Sequence, residues 1–125
     1  MFMSKSVEEL IEDLNDQDEF VVEVAAGELE MMGEESVDAL ISALSHRKKN
    51  IRLNAAKILG AMSYPKSINA LILTLRDNNK LVRREASTAL SRMGQLAVDP
   101  LIEILDDEDW RVRGAAAFKR IFFFL

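Results

Sequence analysis

The chain has 125 residues, 49% of them hydrophobic and 30% charged, with a formal net charge of −5. That is enough for one domain with a real core, too short to expect two, and too apolar for a disordered chain. Five glycines and two prolines leave little room for the turns of an all-β fold, the absence of cysteine excludes disulfides and thiolate sites, and the single His46 excludes any site that needs two imidazoles.

The first predicted helix covers about 7–15, where Val7, Leu10, Ile11 and Leu14 fall at i, i+3, i+4, i+7 on one face. A second follows at about 19–32 with Val21, Ala25-Ala26, Leu29 and Met32, and ends at Gly33, a residue suited to a left-handed helix terminus. The pair then recurs. Helices at about 37–45 and 50–62 carry Leu40-Ile41, Leu44 and then Ile51-Arg52, Ala55-Ala56, Leu59 and Met62. This unit is one residue longer, and the extra residue lies in the loop Ser63-Tyr64-Pro65-Lys66-Ser67. Helices at about 68–76 and 80–93 carry Leu71-Ile72, Leu75 and then Val82-Arg83, Ala86, Ala89-Leu90 and Met93, closed by Gly94. Helices at about 98–106 and 110–123 carry Leu101-Ile102, Leu105 and then Val112-Arg113 and Ala116-Ala117; Pro100 sits in a first helical turn, where its missing N–H costs nothing.

The first Leu of each unit falls at 10, 40, 71 and 101. Four helical hairpins at that period, each unable to bury its own apolar face, predict an all-α fold: a right-handed α-solenoid forming one domain over 1–125, with repeats at about 7–36, 37–67, 68–97 and 98–125. The predicted core is Leu10, Ile11, Leu14, Leu29, Leu40, Ile41, Leu44, Ile51, Leu59, Leu71, Ile72, Leu75, Val82, Leu90, Leu101, Ile102, Leu105 and Val112, with the alanine pairs letting neighbouring helices approach closely.

The Leu-Ile-x-x-Leu of each first helix, the turn aspartate, and the Val-Arg-x-x-Ala-Ala-x-x-Leu of each second helix resemble the HEAT-repeat superfamily, and within it the short PBS-lyase-type HEAT-like repeats. The resemblance covers about residues 7–118. It implies a protein-binding scaffold. Within the superfamily some relatives attach bilin chromophores, some carry iron for a hydroxylase reaction and some bind damaged DNA.

Asp16, Asp77 and Asp107 share one repeat position, which His46 fills in the second unit; Arg52, Arg83 and Arg113 share another, which Val22 fills in the first. A row of acid–base or anion-binding groups is one reading. The structural reading is stronger: a ladder of charge-assisted hydrogen bonds that caps the second helices and fixes the stacking angle, weakened at its N-terminal end by His46 and Val22.

Charge divides by repeat. Residues 1–36 carry a net −11, 37–67 a net +5, 68–97 a net +3 and 98–125 a net −2. An acidic end therefore abuts a basic middle. One reading is a patch for an acidic protein partner, formed by Lys48, Lys49, Leu53, Lys57, Arg84, Thr88 and Arg92, with the positions on the second helices facing the concave side; Arg47 lies with Lys48 and Lys49 at the rim. The other reading is a solvated face with the first unit as a soluble cap. Head-to-tail association of the acidic end with another molecule's basic middle would be salt-sensitive. The overall negative charge and a pI near 4.9 argue against nucleic acid as the partner, although the basic middle keeps that reading open.

No residue pattern argues for catalysis, a cofactor or a metal. His46 is followed by Arg47, so the His-Glu pairs of the iron-carrying hydroxylase branch are absent, and the acidic clusters lack calcium-loop spacing. An accessory or lyase subunit of the phycobilin-lyase type would not require cysteine here, and only the resemblance suggests it. No secretory h-region opens the chain, and no run approaches the ~20 apolar residues that span a bilayer, so a cytoplasmic protein without a membrane partner is the expectation. In the fourth unit Arg120 stands where the equivalent of Leu90 is due, and Ile121 to Leu125 add apolar bulk. Two accounts fit: the front of a longer repeat array, or self-association through Phe118, Phe122, Phe123 and Phe124.

Overall fold

Three of the described helices start where a side chain accepts from their unpaired amides. In a computed structural model of the chain, which describes residues 4–97, helix α1 (Val7–Asp13) opens on a reciprocal capping box. The Ser6 hydroxyl accepts from the Glu9 amide and the Glu9 carboxylate accepts from the Ser6 amide. Asp18 caps α2 (Glu19–Met31) by accepting from the Phe20 amide, and Asn79 caps α6 (Lys80–Met93) by accepting from Leu81 and Val82. Between them lie α3 (Glu34–Ala43), α4 (Lys49–Met62), a 3-10 turn at Pro65–Ser67 and α5 (Ile68–Thr74); a second 3-10 turn, Gly94–Ala97, follows α6. The described residues contain no strand.

The order is three antiparallel hairpins, α1–α2, α3–α4 and α5–α6, stacked side by side as an α-solenoid. The first helices end alike. Leu14, Asn15 and Asp16 donate three residues back, as do Leu44, Ser45 and His46, and Leu75, Arg76 and Asp77. The tightening turns the chain into the polar loop that carries the ladder position.

One spine of aliphatic side chains runs through the stack. Every predicted core residue in the described range is buried except Ile41, which is half-buried because it borders an open cleft on the turn side. Fully buried Ala25, Ala55, Ala56 and Ala86, with nearly buried Ala89, set the close approach of the second helices. The tightest point is Gly60: a Cβ there would lie 2.7 Å from the Ala89 Cβ. Predicted helices 98–106 and 110–123, core positions Leu101, Ile102, Leu105 and Val112, ladder residues Asp107 and Arg113, and the four tail phenylalanines lie outside the described residues.

Two local expectations are corrected. Helix α3 begins at Glu34, not near 37, because Gly33 turns the chain straight into it and Ser36 is already helical, its hydroxyl donating to the Leu29 and Gly33 carbonyls. Gly33 and Gly94 do have positive φ, at 62° and 64°, but with ψ of −134° and −133°. That is a region open essentially to glycine alone, and it is not the left-handed helical one. The true left-handed residue is Ser63 (φ 57°, ψ 33°), at the same repeat position, where the longer loop takes a different path.

Candidate partner-binding face

The second helices of the three hairpins present parallel rows at i, i+4 spacing: Glu19, Glu23 and Gly27 on α2, Lys49, Leu53 and Lys57 on α4, and Lys80, Arg84 and Thr88 on α6. The first row is acidic and the next two are basic. Between α4 and α6 lies a small groove of about 150 Å³, lined by Lys57, Gly60, Glu85, Thr88, Ala89 and Arg92. The close approach of Gly60 to Ala89 makes its floor, because no side chain there separates the two backbones.

The groove thus brings together Lys57, Thr88 and Arg92 of the predicted patch. Arg84 is exposed one turn before Thr88 on the same face, and Leu53 is half-buried at the equivalent position of α4. Lys49 is exposed at the first residue of α4. Lys57, Arg84 and Arg92 make no ion pair with other described residues. Lys48 differs. It lies 3.4 Å from the Glu12 carboxylate of the first hairpin, and His46 Nε2 lies 3.5 Å from the other Glu12 oxygen. Lys48, then His46, hold the Glu12 carboxyl below the usual glutamate range. Glu85, inside the groove, did not stand out in the sequence; only its place on the same helical face as Thr88 and Arg92 signals it.

The ladder position is built as a hydrogen-bonded rung between hairpins. Arg52 Nε lies 2.7 Å from Asp77 Oδ2 and Nη2 lies 3.2 Å from Oδ1, with both side chains largely buried. Arg52 Nη1 also donates to the His46 and Arg47 carbonyls of its own turn. The register is therefore from the arginine of one hairpin to the aspartate of the next. Asp77 Oδ1 accepts in turn from the Asn79 amide, and Arg83 donates to the Asp77 carbonyl at 2.8 Å. Among the described residues Asp16 accepts only from the Asp18 amide, and His46 Nδ1 accepts from the Lys48 amide in the same way. In the same register the rung between the first and second hairpins falls on Val22 and His46, so both of its ends lack the ionic partner. Glu12 with Lys48 and His46, and a bond from Asn54 Nδ2 to the Leu14 carbonyl at 2.9 Å, link those hairpins instead.

A wider cleft of about 720 Å³ opens on the turn side between α3 and α5. Of its charged lining residues, Arg52 and Asp77 are bonded to each other, and Arg47 and Arg76 stand beside them. Among the described residues no cluster of three metal-ligating side chains occurs, and no helix is long and apolar enough to cross a membrane.

A family model described as HEAT repeats matches residues 37–118. Among solved structures, the chain is similar to the complex of CpcE and CpcF of phycocyanin lyase from Nostoc sp. PCC7120, with a TM-score of 0.70 and 22% identity, covering 90% of this chain and 75% of that one. It is similar to human deoxyhypusine hydroxylase in complex with glycerol, with a TM-score of 0.68 and 24% identity, covering 96% of this chain but only 44% of the enzyme. An engineered protein matches with a TM-score of 0.52 and 20% identity, over 93% of this chain and 61% of that one. At these identities the likeness is one of fold. No functionally curated protein matches the sequence.

Proposed function

The chain belongs to the HEAT repeat family, and from that premise we propose that it is a non-enzymatic scaffold binding an acidic protein segment on its concave face. The site is the basic part of the second-helix rows: Lys49, Leu53, Lys57, Arg84, Thr88 and Arg92, with Lys48 at the rim. The observation that carries this reading is the groove that Lys57 and Arg92 line together with Glu85, neither cation forming an ion pair among the described residues. An extended acidic segment laid across α4 and α6 would pair with cations on both helices, and Thr88 would supply a neutral hydroxyl between them. The acidic row on α2 gives the site an edge, because like charge excludes the same segment there. Glu85 would favour a partner with a backbone amide or a basic residue at that point. The whole chain is read as one domain of four units, the fourth spanning 98–125. Asp16, Arg52, Asp77, Arg83, Asp107 and Arg113 serve the stacking of those units and take no part in binding.

Fluorescence anisotropy with a labelled glutamate-rich peptide tests the site. The proposal expects binding that weakens as salt rises and is lost in the Lys57→Glu/Arg84→Glu/Arg92→Glu variant with unchanged circular dichroism. Binding unaffected by that triple reversal would refute it.

The likeness to the phycocyanin lyase complex favours a second reading, an accessory or lyase subunit acting on a bilin-carrying client. A bilin adduct that forms on a client only when this chain is added would support it. Nuclease-sensitive recovery of the chain from an extract would instead support nucleic-acid binding.

A further inference from the structure

The acidic row of the second-helix face carries charge that no described residue answers. No lysine or arginine occurs between Lys5 and Arg47, so α2 has no cation of its own. Lys5 bonds to Asp13 and Lys48 to Glu12, both on α1. Glu19, Glu23 and Glu30 are exposed on α2, and none of them forms an ion pair among the described residues. Gly27 stands between Glu23 and Glu30, the three falling at i, i+4, i+7 on one face. It is exposed, it is not among the glycines with positive φ, and a Cβ there would meet nothing within 4 Å. Neither a turn nor packing within the described residues calls for glycine here, and glycine in a helix interior is unfavourable. Its effect is to leave the backbone bare between two carboxylates. The same repeat position carries Lys57 on α4 and Thr88 on α6.

A lysine or arginine is the residue that suits this notch. Its aliphatic stem can lie on the bare backbone at Gly27 while its charged head reaches Glu23 or Glu30. The basic rows lie next to it in a fixed order, α4 and then α6. Gly27, Lys57 and Thr88 share a repeat position, so consecutive ones are about one helix spacing apart, about 8–10 Å. An extended chain covers that in about two to three residues. Resting on the binding proposal above, we propose that the partner segment has its charge sorted along its length. One lysine or arginine lies over Gly27, and carboxylates about three and six residues from it lie over α4 and α6, in either chain direction. Each row also rejects the wrong sign. A segment acidic throughout sets a carboxylate against Glu23 and Glu30, and one with its basic residue in the middle sets that residue against Lys57.

Fluorescence anisotropy on the full chain with three labelled peptides of equal length reads the charge order. One has a lysine at one end and glutamates about three and six residues on, the second has the same composition with the lysine between the glutamates, and the third is acidic throughout. The end-basic peptide should bind about three- to tenfold more tightly than its isomer, the gain of one or two exposed ion pairs. Glu23→Lys/Glu30→Lys should abolish that preference and make the acidic peptide the tightest of the three. Gly27→Leu fills the notch without meeting a neighbour, so its melting temperature should stay or rise while the end-basic peptide falls toward its isomer. Equal binding of the two isomers, or a preference that survives Glu23→Lys/Glu30→Lys, overturns the charge order. If binding is then still lost in Lys57→Glu/Arg84→Glu/Arg92→Glu, the scaffold proposal stands without it. If no peptide binds, or that triple reversal changes nothing, both fall together.

Discussion

Removing the Asp77 carboxylate strikes the one largely buried ion pair among the described residues. The Arg52 and Asp77 side chains are 13% and 9% exposed, so water cannot replace what each loses. Asp77→Ala deletes two charge-assisted bonds and the acceptor for the Asn79 amide. Breaking a buried pair from one side costs about 3–5 kcal/mol. The low end applies here, because Arg52 keeps the His46 and Arg47 carbonyls. With an unfolding entropy of about 2.1 cal/mol/K per residue, a loss of about 3 kcal/mol lowers the melting temperature of a chain this long by about 10 °C. The partner change is already present in the sequence: Val22 and His46 fill the corresponding rung one hairpin earlier. Arg52→Val/Asp77→His should therefore be less destabilised than the sum of its single changes, with a coupling of about 1–3 kcal/mol. Thermal and urea melts of the four proteins measure this cycle. A melting temperature within about 2 °C of wild type for Asp77→Ala, or strict additivity in the double variant, would refute the rung as a stacking element.

Three further outcomes are expected. Leu90→Ala empties a fully buried site in α6 and should cost about 2–5 kcal/mol in urea melts; an unmoved midpoint would place Leu90 outside the core. Gly60→Ala drives a methyl group into Ala89 and should destabilise by about 1–3 kcal/mol, because backbone and not a flexible side chain must yield; a neutral melt would contradict the close helix approach. Glu12 has a lowered folded pKa, so its link to Lys48 and His46 is present above the ordinary glutamate range and is lost as pH falls through the lowered value. Carboxyl NMR titration should place Glu12 below the ordinary glutamate value, and Lys48→Ala should move it back up; identical midpoints in the two proteins would dismiss the contact.

Much of this architecture is legible in the residues. The Leu-Ile pairs and the Val-Arg-x-x-Ala-Ala runs have helical period, and burial follows them because an unburied aliphatic face has no other way out of water. The extent of α3 was less legible, since Gly33 reads as a stop in sequence and acts as a hinge into the next helix in space. Ladder membership could be read from spacing, but the register could not: only the fold decides that Arg52 meets Asp77 and not an aspartate of its own hairpin. The same holds for Glu12, whose partners lie 34 and 36 residues away, and for Gly60 against Ala89. Within the candidate site, Lys57, Thr88 and Arg92 were recoverable from helical spacing, because side chains four apart share a face. The pairing of Lys48 with Glu12 was not, because it depends on how the first hairpin leans on the second.

The basic part of the second-helix face is the centre of the account, and backbone NMR of the full chain titrated with a glutamate-rich peptide reads it residue by residue. The largest shifts should fall on Lys57, Arg84, Thr88 and Arg92, and should shrink together as salt is raised. Shifts confined to α1 and α2, or no saturable shift at any position, would contradict it.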